Sequence, residues 1–270
     1  MVICPICCKE LKCGEAVWRC ENGHSFDVAR QGYVNLLPVQ QKHSIAPGDS
    51  REMVAARRDF LSTGFYAPIA QSVCELLHRH AEHAKNVLDV GCGEGYYLSH
   101  LTHIPERWGI DISKDAVRFA AARDKSAHFL TASAAHLPFS DASFDCVMSM
   151  FAFTAAAEFA RVLRPGGIFL QVTAGRGHLS ALKKIIYPQI IEKDPAPTPV
   201  LEGFTLLARK ELSFEFSLRD KKSIHDLLYM TPHVHRIGAV GAEALSQTTE
   251  LNDRAEVVFH VYCLDKSAKI

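Results

Sequence analysis

The sequence predicts an α/β chain, a mostly parallel sheet with flanking helices, preceded by a small metal-binding module. Three observations predict it. Four candidate metal ligands crowd the first 24 residues, an apolar strand runs into a glycine-rich turn at residues 86–97, and strand-like and helix-like segments then alternate as far as residue 173.

Composition bounds this reading. A chain of 270 residues exceeds the usual single domain of about 100–200 residues, so one medium domain with a small appendage is expected. Hydrophobic residues make up 48% and charged residues 22%, an ordinary folded composition. The longest largely apolar runs, such as Ile168 to Val172, fall far short of the roughly 20 residues of a membrane span, and no signal-like apolar region opens the chain. A soluble cytoplasmic protein with no membrane association is therefore expected. Lysine plus arginine equals aspartate plus glutamate, 30 of each, so no global field draws the chain onto nucleic acid, and RNA would have to meet a local patch.

Nine cysteines, five of them between residues 4 and 20, point to local metal binding rather than disulfides. Cys4-Pro-Ile-Cys7 and Cys20-Glu-Asn-Gly-His24 form the pattern C-x2-C-x12-C-x3-H, and four such ligands suit one tetrahedral zinc. Each short spacing lets a pair grip the ion from one turn. The twelve-residue excursion can fold as a hairpin in which Trp18 and Phe26 pack, while Cys8 and Cys13 are bystanders. A closed four-ligand site is structural, and a module of about 30 residues needs it in order to fold. Residues 32–38, Gly-Tyr-Val-Asn-Leu-Leu-Pro, lead into a polar stretch ending Pro47-Gly48-Asp49-Ser50, read as an irregular connector. The boundary is drawn near residue 40, giving a zinc-binding module at 1–40 and a catalytic domain at 41–270.

Asp49 or Ser50 can cap a helix reaching Thr63, with Glu52 placed for a capping box and Gly64 as terminator. Arg51, Arg57 and Arg58 stud it, which reads first as a solvated face and second as phosphate contacts. A further helix starts at Pro68 and carries Ile69, Val73, Leu76 and Leu77 on one face.

The strand Asn86–Val90 then enters the turn Gly91-Cys-Gly93-Glu-Gly95 and a helix, the arrangement of a nucleoside-binding βα unit. The spacing G-x-G-x-G fits a dinucleotide fingerprint poorly. Gly91 and Gly93 let the backbone approach a ligand closely. A second strand ends in Asp111, twenty residues after Gly91, where a carboxylate can accept both ribose hydroxyls. A third strand, His128 to Thr131, leads to a turn at Ser133 beside which adenine would lie, and a fourth runs from Cys146 to Met150. A helix ending Arg-Pro165-Gly166-Gly167 closes with a glycine turn and launches a strand from Ile168 to Thr173.

With LDVGCGEG, GIDIS, LPFSDASFD and RVLRPGG in succession, residues 86–173 resemble the Rossmann-like class I S-adenosylmethionine-dependent methyltransferases. That resemblance implies a mostly parallel seven-stranded sheet. CPxC with the later CxxxH, GYVNLLP, PGDSxEM and LLxMTP extend the likeness over nearly the whole chain to the RlmA family, which methylates N1 of a guanine in a 23S ribosomal RNA hairpin. The resemblance implies S-adenosylmethionine as methyl donor, one structural zinc on Cys4, Cys7, Cys20 and His24, cofactor contacts from Tyr66, Gly93, Glu94 and His178, and a homodimer. Spacing alone would leave Tyr66 a core aromatic and His178 a surface residue. The family commonly places an aromatic, a small residue and a proline after the fourth strand, whereas this chain reads Phe151-Ala152-Phe153. Phe151 and Phe153 become candidate stacking partners for a base, and no residue is singled out as the general base. Two other readings are a small-molecule methyltransferase and a non-catalytic, zinc-anchored RNA-binding protein.

Overall fold

The computed structural model describes residues 2–41, 47–190 and 198–265. Residues 42–46 of the expected connector lie outside them.

The N-terminal strands β1 (Leu11–Cys13), β2 (Val17–Cys20) and β3 (Ser25–Asp27) form a three-stranded antiparallel sheet. Trp18 faces Phe26 across it, as the hairpin expectation requires. Next comes β4 (Val34–Asn35), followed by α1 (Arg51–Ser62) and α2 (Ala67–His80). Ser50 is the N-cap of α1, accepting a hydrogen bond from the Met53 amide at 3.2 Å. With Ser50 as cap the reciprocal position falls on Met53, so Glu52 closes no capping box and instead meets the helix dipole from the first turn.

The remaining elements are β5 (Asn86–Val90), α3 (Tyr96–Ser99), β6 (Glu106–Asp111), α4 (Lys114–Arg123), β7 (His128–Thr131), β8 (Phe144–Met150), α5 (Ala156–Val162) and β9 (Leu163–Ala174). After them come α6 (Ser180–Ile186), β10 (Phe204–Leu218), α7 (Lys221–Tyr229), α8 (Ala239–Gln247) and β11 (Leu251–Leu264). The large sheet runs β10-β11-β9-β8-β5-β6-β7-β4. It is parallel from β4 to β9, and only β11 and β10 are antiparallel to their neighbours. After β4 the chain passes to β5, builds outward through β6 and β7 to meet β4, then returns to lay β8 on the other side of β5. That reversal opens a crevice at the carboxyl end of β5, where ligands of such sheets bind.

Two expectations are corrected. The sheet has eight strands among the described residues, not seven, because Val34–Asn35 of the expected irregular connector pairs in parallel with Leu130–Thr131. Val34 and Leu36 are both buried there, and the β4 backbone pairs with the edge that β7 would otherwise expose. The strand expected to begin at Ile168, β9, begins earlier, at Leu163. Its residues 164–167 are strand with a register shift between Phe144 and Cys146, so Gly166, at φ +80°, serves a β-bulge and not a helix cap.

Alternate residues of β8 feed two cores, as a pleated strand requires. Cys146 and Met148 join Phe60, Val73, Leu98 and Phe259 on one face. Val147 joins Leu88, Leu130, Phe159 and Phe169 on the other, and Val2, Leu11 and Trp18 belong to that second core. The N-terminal sheet is thus packed onto the back of the large one.

Candidate active site and metal centre

Cys4, Cys7, Cys20 and His24 converge, with their ligand atoms all within 4.8 Å of one another. Cys4 Sγ and Cys20 Sγ lie 3.5 and 3.4 Å from His24 Nδ1, and Cys7 Sγ lies 3.7 Å from Cys20 Sγ. A tetrahedral zinc with bonds of about 2.3 Å to sulfur has sulfur–sulfur edges of about 3.8 Å, and edges to a nitrogen ligand are slightly shorter. These three separations match the edges of a zinc site. A backbone amide at Lys9 helps hold the Cys7 thiol down at about 6, which favours the thiolate that a metal needs. Cys8 and Cys13 are exposed and outside the cluster.

At the carboxyl end of β5 a cavity of about 1080 Å³ opens. Tyr66, Gly91, Gly93, Glu94, Asp111, Ser133 and His178, all singled out from the sequence, line it together. At its acidic end Asp111 terminates β6 and accepts hydrogen bonds from the Gly93 amide (2.9 Å) and the Ser113 amide (2.8 Å). Burial raises its pKa, and these two amides oppose the rise. Each oxygen keeps a second lone pair for a ligand hydroxyl. Glu94 is buried; its Oε2 accepts from Arg123 at 2.7 Å, and its Oε1 has no partner. Burial raises the Glu94 pKa against the pull of Arg123. An orphaned acceptor in a cavity wall calls for a donor from a bound molecule. Behind the glycine turn Asp89 is also buried, with neither carboxylate oxygen partnered, and burial pushes its pKa well up.

Tyr66 and His178 stand together at the other side, with the Tyr66 hydroxyl 3.5 Å from His178 Nε2. The Glu256 amide donates to His178 Nδ1 at 3.2 Å. Burial lowers the His178 pKa to about 4, so the ring is neutral near pH 7. An amide can only donate, hence the ring proton sits on Nε2 and is offered to Tyr66. The Tyr66 hydroxyl hydrogen is then left for an acceptor in the cavity.

Over the mouth lie Phe151 and Phe153, 40% and 72% exposed. Phe151 takes a left-handed conformation, φ +54°, which turns the chain out of β8 and sets its ring against His178 at 6.0 Å between centroids. Strain in a bulky residue at a cavity edge is a feature of sites rather than of scaffolds.

The sequence reading missed part of the wall. Arg57 is not on a solvated face: it lines the cavity, pairs with Asp49 at 2.5 Å and donates to the Met230 carbonyl at 2.9 Å. Asp49, Lys183, Thr231 and His233 line it as well. Nothing in helix periodicity separates an arginine that faces a cavity from one that faces water. The motif LLxMTP was the available pointer to the Met230–Pro232 wall.

A family model described as RlmA, N-terminal matches residues 2–45, and a methyltransferase-domain model matches residues 88–171. A Bacillus subtilis protein named "Putative 23S rRNA (guanine-N(1)-)-methyltransferase YxjB" is 33% identical over 86% of this chain and 86% of its own length. The chain belongs to the RlmA family. A 23S rRNA (guanine(748)-N(1))-methyltransferase of Streptomyces fradiae is 39% identical over 66% of this chain and 65% of its own length. A fatty-acid O-methyltransferase of Mycolicibacterium smegmatis, 38% identical, matches only 33% of this chain. For a member of the RlmA family with a methyltransferase domain over this crevice, the cofactor is S-adenosylmethionine, and the N-terminal cluster is one structural zinc site. The orphaned Glu94 Oε1, the carboxylate ending β6 and the glycine turn fit that cofactor.

Proposed function

We propose that this chain transfers a methyl group from S-adenosylmethionine to N1 of a guanine in a hairpin of 23S ribosomal RNA, acting in the cytoplasm as a homodimer. The observation that carries the reading is the joining of one cavity, acidic at Glu94 and Asp111 and cationic at Lys183, to a zinc module matched by the same family of relatives. The homodimer rests on the family resemblance. No helix among the described residues is long and apolar enough to cross a membrane.

S-adenosylmethionine supplies an electrophilic methyl group on a sulfonium. In the proposed arrangement Asp111 and Glu94 Oε1 accept the ribose hydroxyls, the Ser133 turn flanks adenine, and Gly91 and Gly93 let the backbone approach. Tyr66, held by His178, donates to the carboxylate of the methionine portion. Phe151 and Phe153 stack on the target base, whose entry to the closed part of the cavity requires that it leave a helical stack. The chain then chiefly aligns the reactants and excludes water. Residues 1–40 anchor RNA backbone and residues 41–270 perform the transfer, a division that suits a protein with no net charge to attract RNA from afar.

The test is transfer of labelled methyl from S-adenosylmethionine to unmodified 23S RNA, followed by nuclease digestion and mass spectrometry. N1-methylguanine confined to one hairpin is the expected product. Cofactor binding without transfer to RNA would refute the reading.

A further inference from the structure

Methylation of guanine N1 must dispose of the N1 proton, and the described carboxylates of the cavity wall are paired or, for the free Glu94 Oε1 and the remaining Asp111 lone pairs, assigned above to the cofactor ribose. Asp111 accepts two amides, Asp49 pairs with Arg57 and Glu94 with Arg123. His178 is spent on the Glu256 amide and Tyr66. His233 differs. It sits in the short 3-10 turn Pro232–His235, its Nδ1 is 2.8 Å from the Tyr187 hydroxyl, and its ring packs edge-on to Tyr187 at 5.6 Å. Among the described residues no hydrogen-bond partner engages its Nε2, and the residue lines the cavity with Lys183, whose charge it feels.

We propose that His233 is the proton acceptor for the target guanine, with Tyr187 fixing its ring and Lys183 facing O6. This rests on the guanine-N1 reading above. A hydroxyl can accept as well as donate, so Tyr187 tolerates the tautomer that has hydrogen on Nδ1 and a lone pair on Nε2. The edge of guanine presents N1–H beside the acceptor O6, and His233 beside Lys183 presents the complementary acceptor and donor. In adenine N1 carries no hydrogen and the neighbouring amino group is a donor, so both contacts fail. During transfer the N1–H bond breaks, its proton goes to Nε2, and its electron pair stays on the base. N1 forms the bond to the methyl carbon while the carbon–sulfur pair returns to sulfur. Alkylation makes the N1 proton far more acidic, so a base of modest strength suffices. Burial first, then the charges of Lys183 and Arg236, lower the His233 pKa, which keeps the ring neutral and able to accept near pH 7. His178 also faces Lys183 and His233 but stays neutral throughout that range.

The experiment compares His233→Ala and His233→Gln with the wild-type chain in labelled methyl transfer to unmodified 23S RNA. Cofactor affinity is followed by calorimetry and folding by thermal unfolding. The expected result is kcat lower by about 100-fold or more, with cofactor Kd within threefold of wild type. The acid limb of the wild-type kcat profile disappears in the variants, and free imidazole restores part of the His233→Ala rate. A wild-type chain that puts no methyl on guanine N1 overturns the underlying function. Normal N1 methylation with His233 variants that keep wild-type kcat and the same acid limb overturns this assignment alone. Tyr187→Phe separates the two when a His233 variant fails to fold: it removes the hydroxyl and keeps the ring, and an unchanged rate and pH profile would also overturn the proposal.

Discussion

Gly91→Ala and Gly93→Ala form a matched pair that isolates what the glycine turn contributes. Both residues have positive φ, +78° and +56°, so alanine at either carries roughly 1–2 kcal/mol of backbone strain. They differ in the space around them. A methyl at residue 91 would lie 2.6 Å from the Ala152 Cβ, where two carbons rest at about 3.5–4.0 Å. At residue 93 the nearest atom is Arg57 Nη1 at 3.6 Å, an ordinary contact. Relieving the overlap at 91 must move either the turn or Ala152, and overpacking of this kind costs typically about 1–3 kcal/mol. Gly93→Ala should thus lose about 1–2 kcal/mol and Gly91→Ala about 2–5 kcal/mol. Thermal unfolding reads this as a fall in Tm of about 2–4 °C per kcal/mol for a chain of this size. Because Ala152 lies between Phe151 and Phe153 at the mouth, the extra displacement should also raise the S-adenosylmethionine Kd of Gly91→Ala. An increase of about tenfold over Gly93→Ala corresponds to about 1.4 kcal/mol of the overlap reaching the site. Equal losses in the two variants, in Tm and in Kd, would refute the close approach of the turn to Ala152 as the cause.

Phe153→Ala should leave Tm and cofactor Kd unchanged, since the ring is 72% exposed. It should weaken RNA binding by about 1–3 kcal/mol if the ring stacks on a base, measured by filter binding. His178 is buried and neutral, with a pKa of about 4 against the ordinary 6.5. Its contribution is full above pH 6.5 and is lost as pH falls from 6.5 towards 4, because only the unfolded chain takes up the proton there. That loss is worth about 3 kcal/mol. His178→Gln should flatten that part of the stability profile in denaturant titrations, and an unchanged slope would count against burial as the cause. Metal analysis should find one zinc per chain. Chelation should shift Trp18 fluorescence to the red, since Trp18 shares its core with Cys4 and Cys20, and Cys20→Ser should reproduce the shift without chelator.

Legibility in the sequence followed locality. The zinc ligands and the glycine turn could be read because each is set by spacings of two to four residues that one turn of chain imposes. Asp111 could be read because a strand end fixes where its last side chain lies, and Ser133 because it opens the turn two residues beyond the end of β7. Tyr66 and His178 came only through resemblance, since their meeting depends on α2 and the segment after β9 closing on one another across 112 residues. Arg57, Lys183 and His233 escaped for the same reason: they sit on two helices and a 3-10 turn whose own patterns are ordinary, and only the packing of distant segments around one cavity brings them together. The β4 edge strand escaped because two residues of strand carry no periodicity.

That short strand explains how a structural metal could bear on a distant cofactor. β4 pairs with β7 at Val34 and Asn35, and the Leu36 amide donates to the Thr131 carbonyl at 2.9 Å. Thr131 is the last residue of β7, and the residues after it, Ala132 to Ala135, line the cavity. On the other side of the same loop the Ile3 amide donates to the Pro138 carbonyl at 2.9 Å, and Val2 bridges to Phe139. Cys4 follows immediately in sequence. The loop from β7 to β8 is thus clasped from behind by the two ends of the zinc module while its front flanks the cofactor space. Glu158 and Arg161 of α5 already hold residues 137–141 of that loop, and a module that folds only around its ion adds a second hold at Thr131 and Pro138. Zinc loss should accordingly weaken cofactor binding while the large sheet is still folded, an effect that a purely RNA-gripping module would not produce.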